Sequence, residues 1–543
     1  MSAPPRYLSR RLIIGLLSLA LLSALGTGLT ARPPHHVAGS PGGKPTTTSD
    51  AQGPGGAYEV PASLVDTYTQ VVTWAACGGG DTDAQCATLT VPLDYDHPSG
   101  TTVSVALKRI PASDGHAEKG VLLTNPGGPG TSGTATAASF ASELEEDVRA
   151  AYDVVGFDPR GIGDSTQLTC APDMDSGMVD FSNSTESEHL RFIGEMLAIN
   201  CAAETTPPEL LDFMGARVVA HDMDVIRAVL GQDRLSFLGV SYGTYLGAKY
   251  LKAFPLNAGR FVLDSAMDPA VGLQGINDDA GLSVEHAVAE LVEHWQASGT
   301  SPLTGSTEEA MAQLSRWLKG LDAAPLPVSD SEVVIDSFMA SASLGYVVTQ
   351  STEYWPAYEK ALGQAMRTSD GTALNTVMTE IHRVADTDVW STSSTDNLNA
   401  YYAAICSDFA PSGDEASWEA HAAQMQRDSF FPEFSADLYQ DAFCTGWNHF
   451  AHAEPVGPVR GTGSGDVLVV GNKRDTRTPY QWSASLADQL DRGHLLTTDT
   501  GAHGALNTNA CANTAINAFL RDGSLPREGT VCPADPAPPL SAT

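Results

Sequence analysis

The stretch Leu235-Ser236-Phe237-Leu238-Gly239-Val240-Ser241-Tyr242-Gly243-Thr244-Tyr245-Leu246-Gly247-Ala248-Lys249-Tyr250-Leu251 decides how the rest of the chain is read. Leu235–Gly239 has the composition of a buried strand, and Thr244–Leu251 that of a helix. Between them lies Gly239-Val240-Ser241-Tyr242-Gly243, the single G-x-S-x-G of the chain. A tight strand-to-helix turn there pushes the Ser241 hydroxyl into the open. Small residues two positions either side let the backbones approach, and the helix N-terminus aims its amides at the same point. An ordinary glycine-rich turn is the competing reading of the pentapeptide. The strand before it and the helix after it favour a nucleophile elbow.

Outward from the elbow, short apolar runs with strand character recur at Val103–Ile110, Gly120–Thr124, Tyr152–Phe157, Arg260–Leu263, Asp466–Val470 and His494–Thr497. Helix-like segments separate several of them; Val218–Leu230 sets Val219, Met223, Ile226, Val229 and Leu230 roughly on one face. Alternating buried strands and helices predict an α/β fold with a mostly parallel sheet covered on both sides. After Arg260–Leu263 the next convincing strand is Asp466–Val470. The stretch 268–459 between them is rich in Ala, Leu, Trp and Tyr at helical spacing, as in Val284–Trp295, Glu308–Leu321 and Tyr354–Met366. It reads as a large, mainly helical cap inserted between two late core strands, its aromatic residues packing rather than binding.

A serine at its free pKa is a poor nucleophile and needs a base oriented by an acid. With a G-x-S-x-G elbow the chain order is Ser, acid, His. The apolar run Val467-Leu468-Val469-Val470 leads into Gly471-Asn472-Lys473-Arg474-Asp475, which makes Asp475 the expected acid. Leu495-Leu496-Thr497-Thr498 leads into Gly501-Ala502-His503-Gly504, which makes His503 the expected base. Asp264, at the end of Phe261-Val262-Leu263, is the rival acid; His494 and His452 are the rival bases. Ser241, Asp475 and His503 all fall past the carboxyl ends of strands, where such sheets place ligands.

Acyl transfer also needs donors for a tetrahedral oxyanion. The backbone N–H of Tyr242 follows the nucleophile. A second is expected from Asn125-Pro126-Gly127-Gly128-Pro129-Gly130 after the Val121–Thr124 strand, with Gly128 N–H the chosen donor. Asp158-Pro159-Arg160-Gly161-Ile162-Gly163-Asp164-Ser165 lacks the Gly-Lys-Ser/Thr of a phosphate loop and reads as a turn bracing the site. His221, Asp222 and Asp224 offer at most two groups on one helical face, so they read as structural. No metal and no organic cofactor is expected.

The 543 residues carry 30 Lys+Arg against 65 Asp+Glu, a formal charge of −35. That balance argues against nucleic acid or an anionic membrane surface as partner. Arg6, Arg10 and Arg11 precede an apolar run from Leu12 to Leu29, and Ala31 offers a cleavage point. This reads as an export signal, by the general or the twin-arginine route, over the alternative of an uncleaved anchor. After cleavage no stable membrane association is expected, and the protein is expected to be secreted. The Pro-, Gly- and Thr-rich residues 32–57, with an incidental His35-His36, read as a flexible leader. Outside the cell the eight Cys are expected to be oxidised. Proximity in sequence suggests Cys77–Cys86, Cys170–Cys201, Cys406–Cys444 and Cys511–Cys532, one of about 105 possible pairings. The organisation is then 1–31 signal, 32–57 leader, 58–267 first part of the core, 268–459 helical cap, 460–533 second part of the core and 534–543 flexible tail.

Asn125–Gly133 (NPGGPGTSG), Asp158–Ser165 (DPRGIGDS), Gly239–Gly247 (GVSYGTYLG), Asp475–Pro479 (DTRTP) and Gly501–Gly504 (GAHG) occur together in this order. With Cys77–Tyr95 and the Cys511–Cys532 tail carrying Asp522-Gly523, the set resembles the secreted tripeptidyl aminopeptidases of actinomycetes. These are α/β-hydrolase serine peptidases related to prolyl aminopeptidases. The resemblance spans roughly residues 60–533. It departs from prolyl aminopeptidases at Pro126, where they carry His, and at Thr476, where many relatives carry Pro. It implies a serine exopeptidase that releases short peptides, tripeptides foremost, from free N-termini, with the same roles for Ser241, Asp475 and His503. An exopeptidase must recognise a substrate ammonium, for which Asp408 and Glu353 in the helical stretch are the candidates. A carboxylesterase or lipase with the same triad, and a non-enzymatic exported binding protein on a hydrolase scaffold, are the alternatives.

Overall fold

A computed structural model describes residues 60–78, 83–171, 184–385, 395–435 and 438–540. The readings of 1–31 as signal and 32–57 as leader lie outside the described residues. The main sheet is built from β1 (Ala75–Ala76), β2 (Gln85–Pro92), β3 (Thr102–Ile110), β4 (Val121–Asn125), β5 (Asp153–Asp158), β6 (Leu235–Val240) and β7 (Ala258–Asp264). A small hairpin, β8 (Leu326–Pro327) and β9 (Val334–Ile335), stands apart from it, and β10 (Val467–Asn472), β11 (Gly493–Thr498) and β12 (Val531–Cys532) complete the sheet. The spatial order is β1-β2-β3-β5-β4-β6-β7-β10-β11-β12. The pairs from β5 through β12 are parallel; β1, β2 and β3 are antiparallel additions at one edge.

The strands are apolar at consecutive positions because both sheet faces are covered. Side chains alternate between faces with period two. Leu123, Val155, Phe237, Phe261, Leu263, Val467 and Val469 therefore join one core, while Leu122, Val154, Leu238, Val240, Val262, Leu468, Val470 and Leu496 join the other. Burying each such side chain contributes about 1.5–3 kcal/mol, which locks the register and holds the strand ends in place.

Between β7 and β10 the chain is mainly helical, from Leu273–Ala297 to Gln440–Trp447. It does not pack as one body. Residues from Ala287 to Ile381, with Phe431, form a core of their own. Ala400, Ala403, Ile405, Cys406, Phe409, Phe443, Cys444 and Trp447 instead share the core of the sheet. The 268–459 span is therefore continuous in sequence but divided in packing. Small residues permit the close contact with the sheet side: Gly446 lies so close to Arg191 O, and Gly194 to Phe443 O, that a Cβ at either would overlap backbone. The Gln440–Trp447 helix is thus seated directly on the Glu186–Glu204 helix. Disulfides join Cys77 to Cys86, Cys170 to Cys201, Cys406 to Cys444 and Cys511 to Cys532.

The terminal segment differs from a flexible tail. Through residue 540 it is fastened: Pro538 O accepts from Tyr354 Oη at 2.9 Å, Asp535 Oδ2 accepts from Ala510 N–H at 2.7 Å, and Ala537 and Leu540 pack on the second core. Its apolar residues find a surface that no sequence pattern announces.

Candidate active site

Strand β6 ends at Val240 and the Tyr242–Ala253 helix starts two residues later, leaving Ser241 alone in the turn with φ 58° and ψ −127°. For a residue with a Cβ this region costs about 1–3 kcal/mol and persists only where the surroundings enforce it. They do: Ser241 N–H donates to Asp264 O at 3.0 Å, and Ser241 O accepts from Thr244 N–H and Oγ1. A Cβ on Gly239 would stand 2.5 Å from Gly243 O, and one on Gly243 would stand 2.5 Å from Asn125 O. The two glycines are therefore what lets the turn close against the β4 loop.

That loop wraps the elbow. Gly127 N–H donates to Asn125 Oδ1 at 2.9 Å, and the Gly128–Pro129 peptide is cis. Tyr242 N–H lies at the first helical position, where no intrahelical acceptor exists. Among the described residues neither Tyr242 N–H nor Gly128 N–H donates to a protein acceptor. The Asp158–Ser165 turn braces the loop from behind, since Asp158 accepts from Ser132 Oγ, Thr134 N–H and Oγ1, and Asp164 N–H.

Asp475 and His503 lie in the loops after β10 and β11. His503 Nδ1 is 3.0 Å from Asp475 Oδ2 and 3.1 Å from Oδ1. Burial alone pushes the Asp475 carboxyl up. The charge of His503 and hydrogen bonds from His503, Ser265 and Thr478 outweigh it and hold the group below its ordinary range. Ser241 and the His503 loop meet at Asp264, whose backbone oxygen takes Ser241 N–H and whose carboxylate takes Ala505 and Leu506 N–H at 2.8–2.9 Å. Among the described residues no hydrogen bond joins Ser241 Oγ to His503. Such contacts are often long in a free enzyme and tighten when substrate binds.

The rival residues are engaged elsewhere. Asp264 supports the loop behind His503 instead of touching its ring, and burial raises its carboxyl to about 6. His494 pairs with Asp466 at the opposite end of the sheet, and His452 stacks on Phe213. Asp222 forms a fully buried pair with Arg160 at 2.7 Å, and Asp224 pairs with Arg227 and accepts from Tyr68, Tyr250 and Asn257.

Asp408 is not a free carboxylate facing a cleft. It is buried, with Oδ2 2.5 Å from Tyr242 Oη and Oδ1 2.6 Å from Ala216 N–H, and burial raises it to about 6. Each oxygen accepts from a helix packed on it, the one that starts at the elbow and its neighbour, which ties the residue to Tyr242. Glu353 lies in a short turn ahead of the Trp355–Thr368 helix, where its backbone N–H donates to Ser351 Oγ, and among the described residues no hydrogen bond joins it to Ser241, Asp475 or His503. Residues that pattern reading missed include Ser265, Thr478 and Asn472, all buried and bonded directly or through one neighbour to Asp475. Ser, Thr and Asn past strand ends are too common to signal this alone.

Residues 430–532 match a family model described as TAP-like protein. The chain is 30% identical over 467 residues to "Tripeptidyl aminopeptidase" of Streptomyces coelicolor, covering 82% of this chain and 83% of the relative. It is 29% identical over 503 residues to "Serine protease Hip1" of Mycobacterium tuberculosis, covering 85% and 91%. It is 30% identical over 498 residues to "Carboxylesterase B" of the same organism, covering 88% and 92%. With a mostly parallel sheet, a G-x-S-x-G elbow and this likeness along most of its length, the chain belongs to the tripeptidyl aminopeptidase family of α/β-hydrolases and is a serine hydrolase.

Proposed function

We propose that the protein is a secreted serine exopeptidase that removes short peptides, tripeptides foremost, from free N-termini. The observation that carries the hydrolytic part of this reading is the hydrogen-bonded Asp475–His503 pair on loops that meet the Ser241 elbow at Asp264, and the likeness to a tripeptidyl aminopeptidase supports the peptidase part. In the proposed mechanism His503 Nε2 takes the Ser241 proton as the hydroxyl attacks the scissile carbonyl. Asp475 holds Nδ1–H and stabilises the imidazolium that forms. Tyr242 N–H and Gly128 N–H receive the oxyanion, each donor being worth on the order of 10²–10³ in rate. His503 returns its proton to the leaving amine, and water, activated by His503, hydrolyses the acyl-enzyme. Secretion is supported by the four disulfides, which persist in oxidising compartments. No described helix is long and apolar enough to cross a membrane.

The relative named Carboxylesterase B favours a second reading, ester hydrolysis by the same residues. The two part on substrate. A panel of fluorogenic mono-, di- and tripeptide amides, with free and acetylated N-termini, is set beside short-chain nitrophenyl esters. The peptidase reading expects the free-amine tripeptide amide to be turned over fastest and its acetylated form hardly at all. Equal turnover of both forms, or turnover of esters alone, rejects it. Retention of turnover by Ser241→Ala rejects the triad itself.

A further inference from the structure

Ser265 follows the last residue of β7 and is fully buried with φ 55°. Its hydroxyl oxygen makes three contacts: 2.7 Å to Asp475 Oδ2, 2.8 Å to Asn472 Nδ2 and 2.8 Å to Gly504 N. Two of these partners can only donate. Gly504 offers a backbone N–H. Asn472 has its Oδ1 taken by the hydroxyls of Thr498 and Thr500, which turns its Nδ2 toward Ser265. A hydroxyl has one proton and two lone pairs. With both lone pairs filled by N–H groups, the proton has a single destination, the Asp475 carboxylate. Ser265 N–H donates to Val470 O at 3.0 Å, so the backbone that carries this hydroxyl is tied to β10.

We propose that Ser265 is a positioning residue for the reaction: its hydroxyl, aimed by Asn472 and Gly504, fixes the Asp475 carboxylate and ties the acid loop to the residue following the base. Resting on the Ser241–His503–Asp475 assignment made above, this gives β7 a part in the site. The hydroxyl does two things. It sets the rotation of the carboxylate, so that Oδ1 and Oδ2 both face His503 Nδ1. It also withdraws charge from Oδ2, which limits how strongly Asp475 holds the imidazolium. Asp264, the neighbouring carboxyl on β7, accepts from Ala505 and Leu506 N–H, contacts that do not involve the Ser265 hydroxyl.

Two substitutions separate the hydroxyl from the backbone. Ser265→Ala removes the hydroxyl and keeps the positive φ; Ser265→Gly removes the hydroxyl and suits that φ. Each is assayed on a short-chain nitrophenyl ester across pH, with activity divided by the active sites titrated with a fluorophosphonate. Both variants are expected to lose about tenfold to a hundredfold in kcat, the range of one hydrogen bond to a charged group, with KM little changed. Both are expected to move the acidic limb of kcat/KM to higher pH, because a less tempered Asp475 holds the protonated base more firmly. Wild-type kcat and an unmoved limb in Ser265→Gly overturn the proposal, and so does loss of the folded state in both variants by circular dichroism and thermal melting, since the residue then serves folding alone. Ser241→Ala is run alongside. If it retains turnover, the triad assignment has failed; if it is inactive while the Ser265 variants behave as wild type, only the present inference has.

Discussion

Gly127→Ala tests the proposed oxyanion loop at the point where it touches the elbow. A Cβ at Gly127 would stand 2.5 Å from Val240 O, 2.8 Å from Tyr242 N and 3.0 Å from Gly243 N, all backbone atoms that cannot rotate away. Restoring ordinary contact moves the loop back by about 1 Å, a misplacement of the size that costs about a hundredfold in rate. In free energy that is about 2.7 kcal/mol of lost transition-state stabilisation. The residue also has φ +91°, so an alanine adds about 1–3 kcal/mol of backbone strain and lowers Tm. The strain must be separated from the displacement. Gly231→Ala does so, because Gly231 has φ +68° and nothing within 4 Å of a Cβ. The assay is kcat and KM on the best panel substrate, normalised to fluorophosphonate-titrated sites, with thermal melts of both variants. Gly127→Ala is expected to lose kcat with KM little changed; Gly231→Ala is expected to melt lower and turn over normally. A Gly127→Ala enzyme with wild-type kcat per titrated site would refute the reasoning that this loop supplies an oxyanion donor.

Ser241→Gly is expected to abolish turnover and fluorophosphonate labelling while raising Tm. The strain released at φ 58°, about 1–3 kcal/mol, exceeds the roughly 0.5–1 kcal/mol of added chain entropy; a lower Tm would mean the turn is not strained. Glu143 is buried with Oε2 unpartnered, and burial followed by the charge of Asp264 raises it to about 7. A carboxyl raised in the folded state contributes stability that is complete below its unfolded value, near 4.5, and is lost as pH rises through about 7. Glu143→Gln, which keeps the neutral shape, is therefore expected to melt above wild type at pH 8 and to converge with it near pH 4. Parallel melting curves across that range would contradict the burial account.

Much of this molecule is legible along the chain because its decisive features are local. The run Val467–Val470 is apolar at every position, which only a strand covered on both faces requires, and β10 occupies Val467–Asn472. The weakly alternating β2 and the two-residue β12 escaped notice. The first is half exposed, and the second exists only beside β11 and next to the Cys511–Cys532 bond. Asp408 shows the limit of composition. A carboxylate in a helical stretch is as ready to take a substrate ammonium as to take a tyrosine hydroxyl, and only packing sets Tyr242 Oη against it.

By itself the sequence determined the strand-turn-helix around Ser241, the strand-end loops that carry Asp475 and His503, and the α/β alternation. Each rests on backbone conformation and side-chain periodicity, which neighbouring residues impose. Tertiary structure alone decided that Asp475 meets His503 from a loop 28 positions earlier, that Ser265 closes their network from 210 positions before Asp475, and that the helical insertion divides its loyalty between two cores. Those contacts join strand ends that are neighbours in the sheet and strangers in the chain. Hydrogen bonds of a few ångströms depend on register and close packing, and no local pattern carries that information.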